Sequence, residues 1–171
     1  VDVHITHGLR NRMQNAVRTV RSLQLEVEEL VFSGVASSLA VLSTQDKELG
    51  TLVIDLGAGA TEYVVYADGI VKHTGVLAVG GDHVTNDLAY GLKVSMSRAE
   101  ALKIEHGSAV VEPAVRGRTL SLASDHGLPE RSLHLEHLHR IMSLRLEEVF
   151  EIIADEIDRA GLLAYLRNGV V

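Results

Sequence analysis

Two glycines placed directly after a buried-strand run limit the fold of this chain more than any other feature. Residues 51–54 read Thr-Leu-Val-Ile, and Asp55, Gly57 and Gly59 follow at once. Because glycine has no Cβ, the backbone N–H groups of such a turn can approach an anion closely. A second strand-like run starts at Tyr63. The segment therefore predicts a phosphate-binding loop between two strands.

Three kinds of phosphate-binding loop are considered for this pattern. The dinucleotide fingerprint G-x-G-x-x-G fails because Glu62 occupies the third glycine position and a strand follows. The Walker form needs G-K-[ST], which the chain lacks. Asp55 would repel a bare pyrophosphate, but it suits a site where Mg²⁺, through its own waters, bridges carboxylate and phosphates. A metal–nucleotide loop is favoured, and a turn that the glycines merely shape, capped by Asp55, is the structural alternative.

The second turn of this region is a hairpin signal. Strand-like runs at residues 63–66 and 70–74 flank Ala67-Asp68-Gly69. Asp-Gly tolerates the positive φ angles of a tight turn. We therefore expect these two strands to pair antiparallel.

Apolar spacing before the loop predicts a helix, a strand and a second helix. Residues from Met13 to Val20 recur at helical spacing, and residues 30–32 form a short apolar run. A helix followed by a strand is expected there. A short helix is expected at about 35–43, ended by the polar stretch 43–50.

After the hairpin the pattern is mainly helical. Asp82 can cap a helix that runs to about residue 91, and Ser97 with Glu100 has the form of a capping box for a helix that ends near Gly107. Residues 108–133 suggest short strands and an irregular connection. A long helix is expected at about 134–160, ended by Gly161, and the last residues, 169–171, look like a strand that enters a sheet.

Composition excludes several classes of function. The chain has 171 residues and a formal net charge of −7, with 16 Lys and Arg against 23 Asp and Glu, so it has no wide basic field for nucleic acid. No cysteine is present, which excludes disulfides and thiolate chemistry and is compatible with a reducing compartment. No apolar run approaches the roughly 18 residues of a membrane span. Because the first residue is Val1, we expect an excerpt of a longer chain.

Several ordered stretches resemble the actin-like ATPase superfamily, which includes actin, Hsp70 and bacterial filament proteins. The motif Asp55-x-Gly57-x-Gly59-x-Thr61-Glu62, with its Tyr-Val-Val-Tyr strand and Asp-Gly turn, resembles the second phosphate motif of that superfamily. Within it, the chain is most similar to the FtsA family of bacterial cell-division proteins. The other segments that carry this likeness, in the same order as in that family, are residues 31–50, 81–89, 99–109 and 145–149.

The resemblance implies an α/β fold of the actin-like, ribonuclease H-like type, with a mixed sheet, flanking helices and an inserted smaller subdomain. Subdomain 2A would comprise residues 1–80 and 140–171, and subdomain 2B would comprise residues 81–139. The first phosphate motif, the final Gly-Gly adenosine motif and a C-terminal amphipathic membrane helix would all lie outside this chain. Half of the nucleotide cleft would then be absent from it.

The resemblance also assigns a phosphate end to the cleft, with ATP and Mg²⁺ as ligands. Asp55 would orient the magnesium ion through a water. Gly57, Gly59 and Thr61 would hold the β- and γ-phosphates with backbone and hydroxyl donors.

The nucleoside end of the cleft follows from the same resemblance. Glu100 and Lys103 would contact the ribose and adenine, and their spacing of three places them on one helix face. Two structural alternatives stay open here, since Glu100 also fits a capping box with Ser97 and Lys103 can simply be solvated. Gly80 and Gly81 resemble a further nucleotide-facing turn, for which a plain helix N-cap is the alternative.

Two departures from the family pattern bear on catalysis. Ala58 and Ala60 stand where many relatives carry Gly and Thr. Ala60 lacks the hydroxyl of threonine, and Ala58 allows fewer backbone conformations than glycine. These changes make ATP turnover less secure than ATP binding. No residue is therefore assigned a catalytic role.

The resemblance implies a partner and a location. The full-length protein would bind the C-terminal tail of the tubulin-like division GTPase FtsZ through subdomain 2B, and would associate with itself into filaments. It would lie in the cytoplasm at the inner face of the cell membrane, held there by the helix outside this chain. The alternatives are a non-catalytic partner-binding module, or an actin-like protein of the MreB or PilM type. Val84-Thr85-x-Asp87 and His106-Gly107 favour FtsA.

Three histidines raise a separate metal hypothesis. His134, His137 and His139 lie within six residues, near the start of the expected long helix. Zinc is the metal that such a group suggests, and an ordinary helix start is the structural alternative.

Overall fold

The computed structural model describes residues 3–122 and 131–171, which form a mixed α/β fold. The described chain divides into two compact units. The first contains the residues up to Asp55 together with Glu62–Val76 and Leu162–Val171. The second contains Leu56–Thr61 and the described part of Leu77–Gly161. The predicted subdomain limits at residues 80 and 139 stay predictions.

The first unit is built on a three-stranded sheet with the order β1-β2-β3. Its strands are β1 (Thr51–Leu56), β2 (Thr61–Ala67) and β3 (Ile70–Leu77). Asp68 and Gly69 have φ angles of 54° and 76°, as a two-residue turn with positive φ at both positions requires. A turn this short joins only antiparallel neighbours. The predicted hairpin is confirmed.

The other side of β1 pairs with the last residues of the chain. Leu52 and Val170 form a parallel bridge. The Leu52 amide donates to the Gly169 carbonyl at 3.0 Å, and the Val171 amide donates to the Leu52 carbonyl at 2.9 Å. The expectation that the end of the chain enters a sheet is therefore confirmed.

Three helices precede the sheet: α1 (Arg10–Ser22), α2 (Ser33–Val41) and α3 (Thr44–Leu49). The first two agree with the spacing of their apolar residues. The polar stretch that was expected to end the second helix forms a further short helix, α3, because Ser43 and Asp46 close a capping box around its first turn. Leu42, which follows α2, forms a buried core with three residues of the sheet, Val53, Val64 and Tyr66. Val35 of α2 packs against this core together with Phe32 and Val71.

The expected strand at residues 30–32 is wrong. These residues have no regular secondary structure, and Leu30 and Val31 are exposed. An apolar run becomes a strand only where a neighbouring strand receives its hydrogen bonds, and the described part of the chain places none beside it.

The second unit contains three helices and a small sheet. The helices are α4 (Gly81–Leu92), α5 (Met96–His106) and α6 (Leu135–Arg159). Strands β4 (Thr119–Leu122) and β5 (Arg131–His134) pair antiparallel with Thr119 opposite His134. Short 3₁₀ turns at Pro113–Val115 and Leu163–Tyr165 complete the described elements of the chain. The core of this unit comprises Val84, Leu88, Leu92, Ala99, Leu102, Leu122, Leu133, Leu138 and Met142.

The helices of this unit confirm the expected pattern and correct two of its N-caps. Gly80 precedes α4, so Asp82 lies in its first turn instead of capping it. Ser95 caps α5 by accepting from the Arg98 amide, so Ser97 lies inside the helix. Gly161, with a φ of 70°, follows the end of α6 as predicted. The expected short strands within residues 108–133 are present, and residues 123–130 lie outside the described part.

Among residues 3–122 and 131–171, no helix combines the length and apolarity that crossing a bilayer requires.

Candidate functional site

The glycine loop between β1 and β2 presents an exposed tip. The Gly57 amide donates to the Ala60 carbonyl at 3.0 Å, which closes the turn. The amides of Ala58 and Gly59 donate to no acceptor among the described residues, and a Cβ built on Gly59 would meet nothing within 4 Å. Two adjacent N–H groups beside open space form a cradle for an anion. The loop therefore has room for the phosphate that its sequence predicts.

The N-terminus of α4 packs directly against this loop within the second unit. The Gly81 amide donates to the Gly57 carbonyl at 2.9 Å, and the Asp82 amide donates to the Ala58 carbonyl at 2.8 Å. A Cβ on Gly80 would lie 2.4 Å from the Gly57 oxygen, so only glycine permits this approach. The Gly80 amide in turn donates to His83 Nδ1 at 3.1 Å. The Gly81 and Asp82 amides thus hold the loop, and Gly80 is the N-cap residue of α4. The role of Gly80 and Gly81 as a nucleotide-facing turn stays a prediction.

Thr61 supports the loop from inside the protein. Its side chain is 0% exposed, and its hydroxyl donates to the Val79 carbonyl at 2.7 Å. A hydroxyl carries a single proton. This hydrogen bond fixes the end of the loop, and the donation from Thr61 to a phosphate stays a prediction.

Asp55 ends the β1 segment that belongs to the first unit. It is half-buried, and its Oδ2 accepts from the Ser37 hydroxyl at 2.6 Å. Oδ1 accepts no hydrogen bond from the described residues. The Asp55 carboxylate therefore has one oxygen that Ser37 holds in place and one that is free to accept a hydrogen bond. This arrangement fits a magnesium ion held through its own waters, because such an ion needs few direct protein ligands.

A second carboxylate of the first unit, that of Glu62, is held in a similar way and was not among the predicted site residues. Ser33 and Ser37 lie four apart on α2, and the Ser33 hydroxyl donates to Glu62 Oε1 at 2.9 Å. Glu62 Oε2 is buried without a hydrogen-bond partner among the described residues. One face of α2 therefore holds Asp55 and Glu62 together. Two features of the sequence point to this arrangement: the i, i+4 spacing of the two serines, and the position of Asp55 and Glu62 at the two ends of the glycine motif.

Glu100 and Lys103 form an ion pair on α5, with Lys103 Nζ 2.8 Å from Glu100 Oε2. Thr85, on α4, contacts both residues; the sequence marked it as part of a family motif but not as a site residue. The Lys103 ammonium, together with the Thr85 hydroxyl, lowers the pKa of Glu100. Since Ser95 caps α5, the alternative role of Glu100 in a capping box is wrong. Lys103 is also not simply solvated.

A chain of hydrogen bonds connects this pair to the loop inside the second unit. Lys103 Nζ donates to the Gly81 carbonyl at 3.1 Å, and the Gly81 amide donates to the Gly57 carbonyl. The structure therefore brings together five predicted residues in one cluster: Gly57, Gly80, Gly81, Glu100 and Lys103. An exposed anion cradle lies at one end of that cluster and an ion pair at the other.

The histidine group does not converge on a metal. His134 and His137 are exposed, whereas His139 is buried and its Nε2 donates to the His106 carbonyl at 2.9 Å. Across residues 3–122 and 131–171, no three His, Cys, Asp or Glu side chains gather closely enough to bind a metal by themselves. The alternative of an ordinary helix start is the better description.

Comparison with known proteins places this chain in a family. Residues 52–167 match the family model of the cell division protein FtsA. The cell division protein FtsA of Pseudomonas aeruginosa is 32% identical over 169 residues, covering 99% of this chain and 40% of that protein. The counterpart in Escherichia coli K12 is 34% identical over 176 residues, covering 99% of this chain and 42% of that protein. The chain thus spans about two fifths of the length of these relatives.

The solved structures agree on the fold. MreB5 of Spiroplasma citri bound to ADP superposes with a TM-score of 0.77 at 18% identity, covering 95% of this chain and 53% of that one. This likeness establishes the actin-like fold. The sequence match, which covers residues 52–167, decides between the families that share it.

Proposed function

The chain belongs to the FtsA family of bacterial cell-division proteins, and from this premise we propose that it supplies one half of an ATP-binding cleft. The exposed amides of Ala58 and Gly59 would receive the β- and γ-phosphates of ATP, with Gly57 shaping the turn. Asp55 would hold the magnesium ion through a water. The observation that carries the proposal is the hydrogen-bonded connection between this loop and the Glu100–Lys103 pair.

Charge explains why magnesium belongs to the proposal. A triphosphate placed beside Asp55 brings like charges together, which costs free energy. A divalent cation between them converts the repulsion into attraction, and its waters reach a carboxylate that has a free oxygen. Magnesium would supply this charge neutralisation when bound, while the loop amides orient the phosphates.

A charge reversal at the tip of the loop tests the cradle. In the full-length protein that contains this chain, Gly59→Glu places a carboxylate where the phosphates would lie, and Gly59→Gln is its neutral match. Since a Cβ at this position meets nothing within 4 Å, both variants should fold. Calorimetric titration with Mg-ATP should show affinity reduced about tenfold more by Gly59→Glu than by Gly59→Gln. Equal affinities in the two variants, or no binding by the parent protein, would remove the ATP site.

We further propose that the full-length protein polymerises and tethers FtsZ to the cytoplasmic membrane. Membership of the FtsA family supports this role, and the FtsZ C-terminal tail would bind the subdomain formed by residues 81–139. Membrane attachment would depend on a helix outside this chain. Titrating a fluorescent FtsZ tail peptide into the full-length protein tests the docking, and sedimentation with and without Mg-ATP tests the filament. A peptide that fails to bind would remove the tethering role.

A second candidate is a partner-binding module that performs no catalysis. Two features favour it over an active ATPase. The loop carries Ala58 and Ala60, and the Thr61 hydroxyl already donates its proton to the Val79 carbonyl. The same two titrations distinguish the candidates. Binding of the FtsZ peptide without any binding of Mg-ATP would favour the module.

A further inference from the structure

The two exposed amides of the glycine loop are turned outward by the carbonyls that precede them. The Ala58 amide shares a trans peptide unit with the Gly57 carbonyl, and the Gly59 amide shares one with the Ala58 carbonyl. In a planar trans unit the C=O and N–H groups point in opposite directions. Both carbonyls accept from the start of α4, the first from the Gly81 amide at 2.9 Å and the second from the Asp82 amide at 2.8 Å. The first turn of α4 therefore sets the direction of both donors of the anion cradle.

His83 holds this first turn in place. It is the third residue of α4, and its Nδ1 accepts from the amide of the N-cap residue Gly80 at 3.1 Å. The imidazole thus takes the part that a glutamate or glutamine plays in a capping box. Nδ1 accepts a hydrogen bond only while the ring is neutral, because an imidazolium carries N–H donors on both nitrogens. Protonation would set the ring N–H against the Gly80 N–H and break this contact.

The other charged groups around the start of α4 are held in pairs or exposed. On α4, α5 and α6 they are Asp82, Asp87, Glu100, Lys103 and Arg145. Glu100 pairs with Lys103, Asp87 pairs with Arg145, and Asp82 is exposed. The loop at residues 56–61 contributes no titratable side chain. Histidine is the side chain that ordinarily changes its charge between about pH 5 and pH 8, so His83 is the proton-sensitive member of this cluster.

We propose that His83 is a positioning residue of the phosphate cradle, and that only its neutral imidazole keeps the loop amides directed at the phosphates. This assignment rests on the proposed ATP site and adds a proton linkage to it. When His83 gains a proton, the Gly80 amide is released and the first turn of α4 loosens. The carbonyls of Gly57 and Ala58 then lose the donors that orient the loop. Nucleotide affinity should therefore fall as the pH drops through the range in which His83 is protonated.

The test measures the affinity of the full-length protein for Mg-ATP by calorimetry at about pH 8 and at about pH 5.5. His83→Gln is the reference variant, because a glutamine at this position accepts the same amide but does not titrate. Dividing the dissociation constant of the parent protein by that of His83→Gln at each pH removes the titration of ATP and of all other groups. This ratio should be about fivefold larger at the lower pH, as the loss of one hydrogen bond predicts. His83→Leu has no acceptor and should bind about fivefold more weakly than His83→Gln at both pH values.

The outcomes separate this assignment from the ATP site itself. If the ratio does not change with pH, protonation of His83 does not reach the cradle, and the assignment is overturned while the ATP site survives. A ratio that falls in acid would mean that the imidazolium attracts the phosphates, which overturns the assignment too. A parent protein that binds no nucleotide at either pH overturns both. Should His83→Leu not fold, the comparison of the parent protein with His83→Gln decides by itself.

Discussion

Gly80 lies so close to the Gly57 carbonyl that an added Cβ would stand 2.4 Å from the Gly57 oxygen. That distance is shorter than real Cβ contacts allow, and the Ala58 carbonyl oxygen would be only 2.5 Å away. The φ of Gly80 is −160°, which any residue adopts, so the requirement for glycine is steric. Close approach of the α4 N-terminus to the loop therefore depends on a missing side chain.

Gly80→Ala should separate the loop from α4. We expect it to lower the free energy of unfolding by about 1–3 kcal/mol, because backbone carbonyls cannot move aside as flexible side chains do. Gly59→Ala is the control, since its Cβ meets nothing within 4 Å and its effect should stay within about 0.5 kcal/mol. Urea unfolding of both variants measures the difference. Equal stabilities would mean that the loop does not pack on α4 as described.

The N-cap of α5 distinguishes two serines that are two positions apart. Ser95→Ala should destabilise the helix by about 1 kcal/mol, because the Arg98 amide loses its acceptor. Ser97→Ala should change stability by less than about 0.5 kcal/mol, since Ser97 lies inside the helix. Peptide-level hydrogen exchange across residues 95–106 reports the local effect. A larger loss of protection in Ser97→Ala would restore the capping box inferred from the sequence.

Arg145 joins α6 to α4 with a two-pronged contact. Its Nε lies 2.5 Å from Asp87 Oδ2 and its Nη2 lies 3.1 Å from Asp87 Oδ1, and it also pairs with Glu148. Asp87 raises the pKa of Arg145 through these bonds. Arg145→Met should cost about 1–2 kcal/mol of stability, because it leaves Asp87 half-buried without its cation. Thermal unfolding should show almost no change for the matched control Arg140→Met, since Arg140 is exposed on the same helix.

The ion pair on α5 predicts a pH dependence with a definite sign. In the folded protein, hydrogen bonds from Lys103 and, to a smaller extent, from Thr85 lower the pKa of Glu100 below its ordinary value of 4.5. The ionised carboxylate therefore stabilises the fold above pH 4.5, and this contribution is lost as the pH falls through the folded-state pKa.

Carboxyl-carbon NMR during an acid titration measures this shift. The Glu100 midpoint should lie below 4.5 in the parent protein and move upward in Lys103→Met. Thr85→Ser retains the hydroxyl and should leave the midpoint in place. An unchanged midpoint in Lys103→Met would contradict the ion pair.

Local chemistry was enough to predict the hairpin and the long helix. Asp68-Gly69 specifies positive φ angles in any context, and the apolar stripe of α6 specifies its buried face through residues such as Val149, Ile153 and Ile157. The predicted N-cap of α5 was wrong because two nearby serines could each cap the helix. Ser95 and Ser97 are both plausible caps, and only the packed helix shows which one accepts the Arg98 amide.

The amino-acid sequence by itself determined the glycine loop, the turn that follows it and the family to which the chain belongs, because spacing and turn chemistry are properties of neighbouring residues. Only the tertiary structure decided that Thr61 is buried on Val79, that Gly80 packs on Gly57, and that Thr85 joins the ion pair on α5. The residues of each such pair lie at least 15 positions apart. These contacts depend on how segments distant in the chain pack together, and no local pattern encodes that packing.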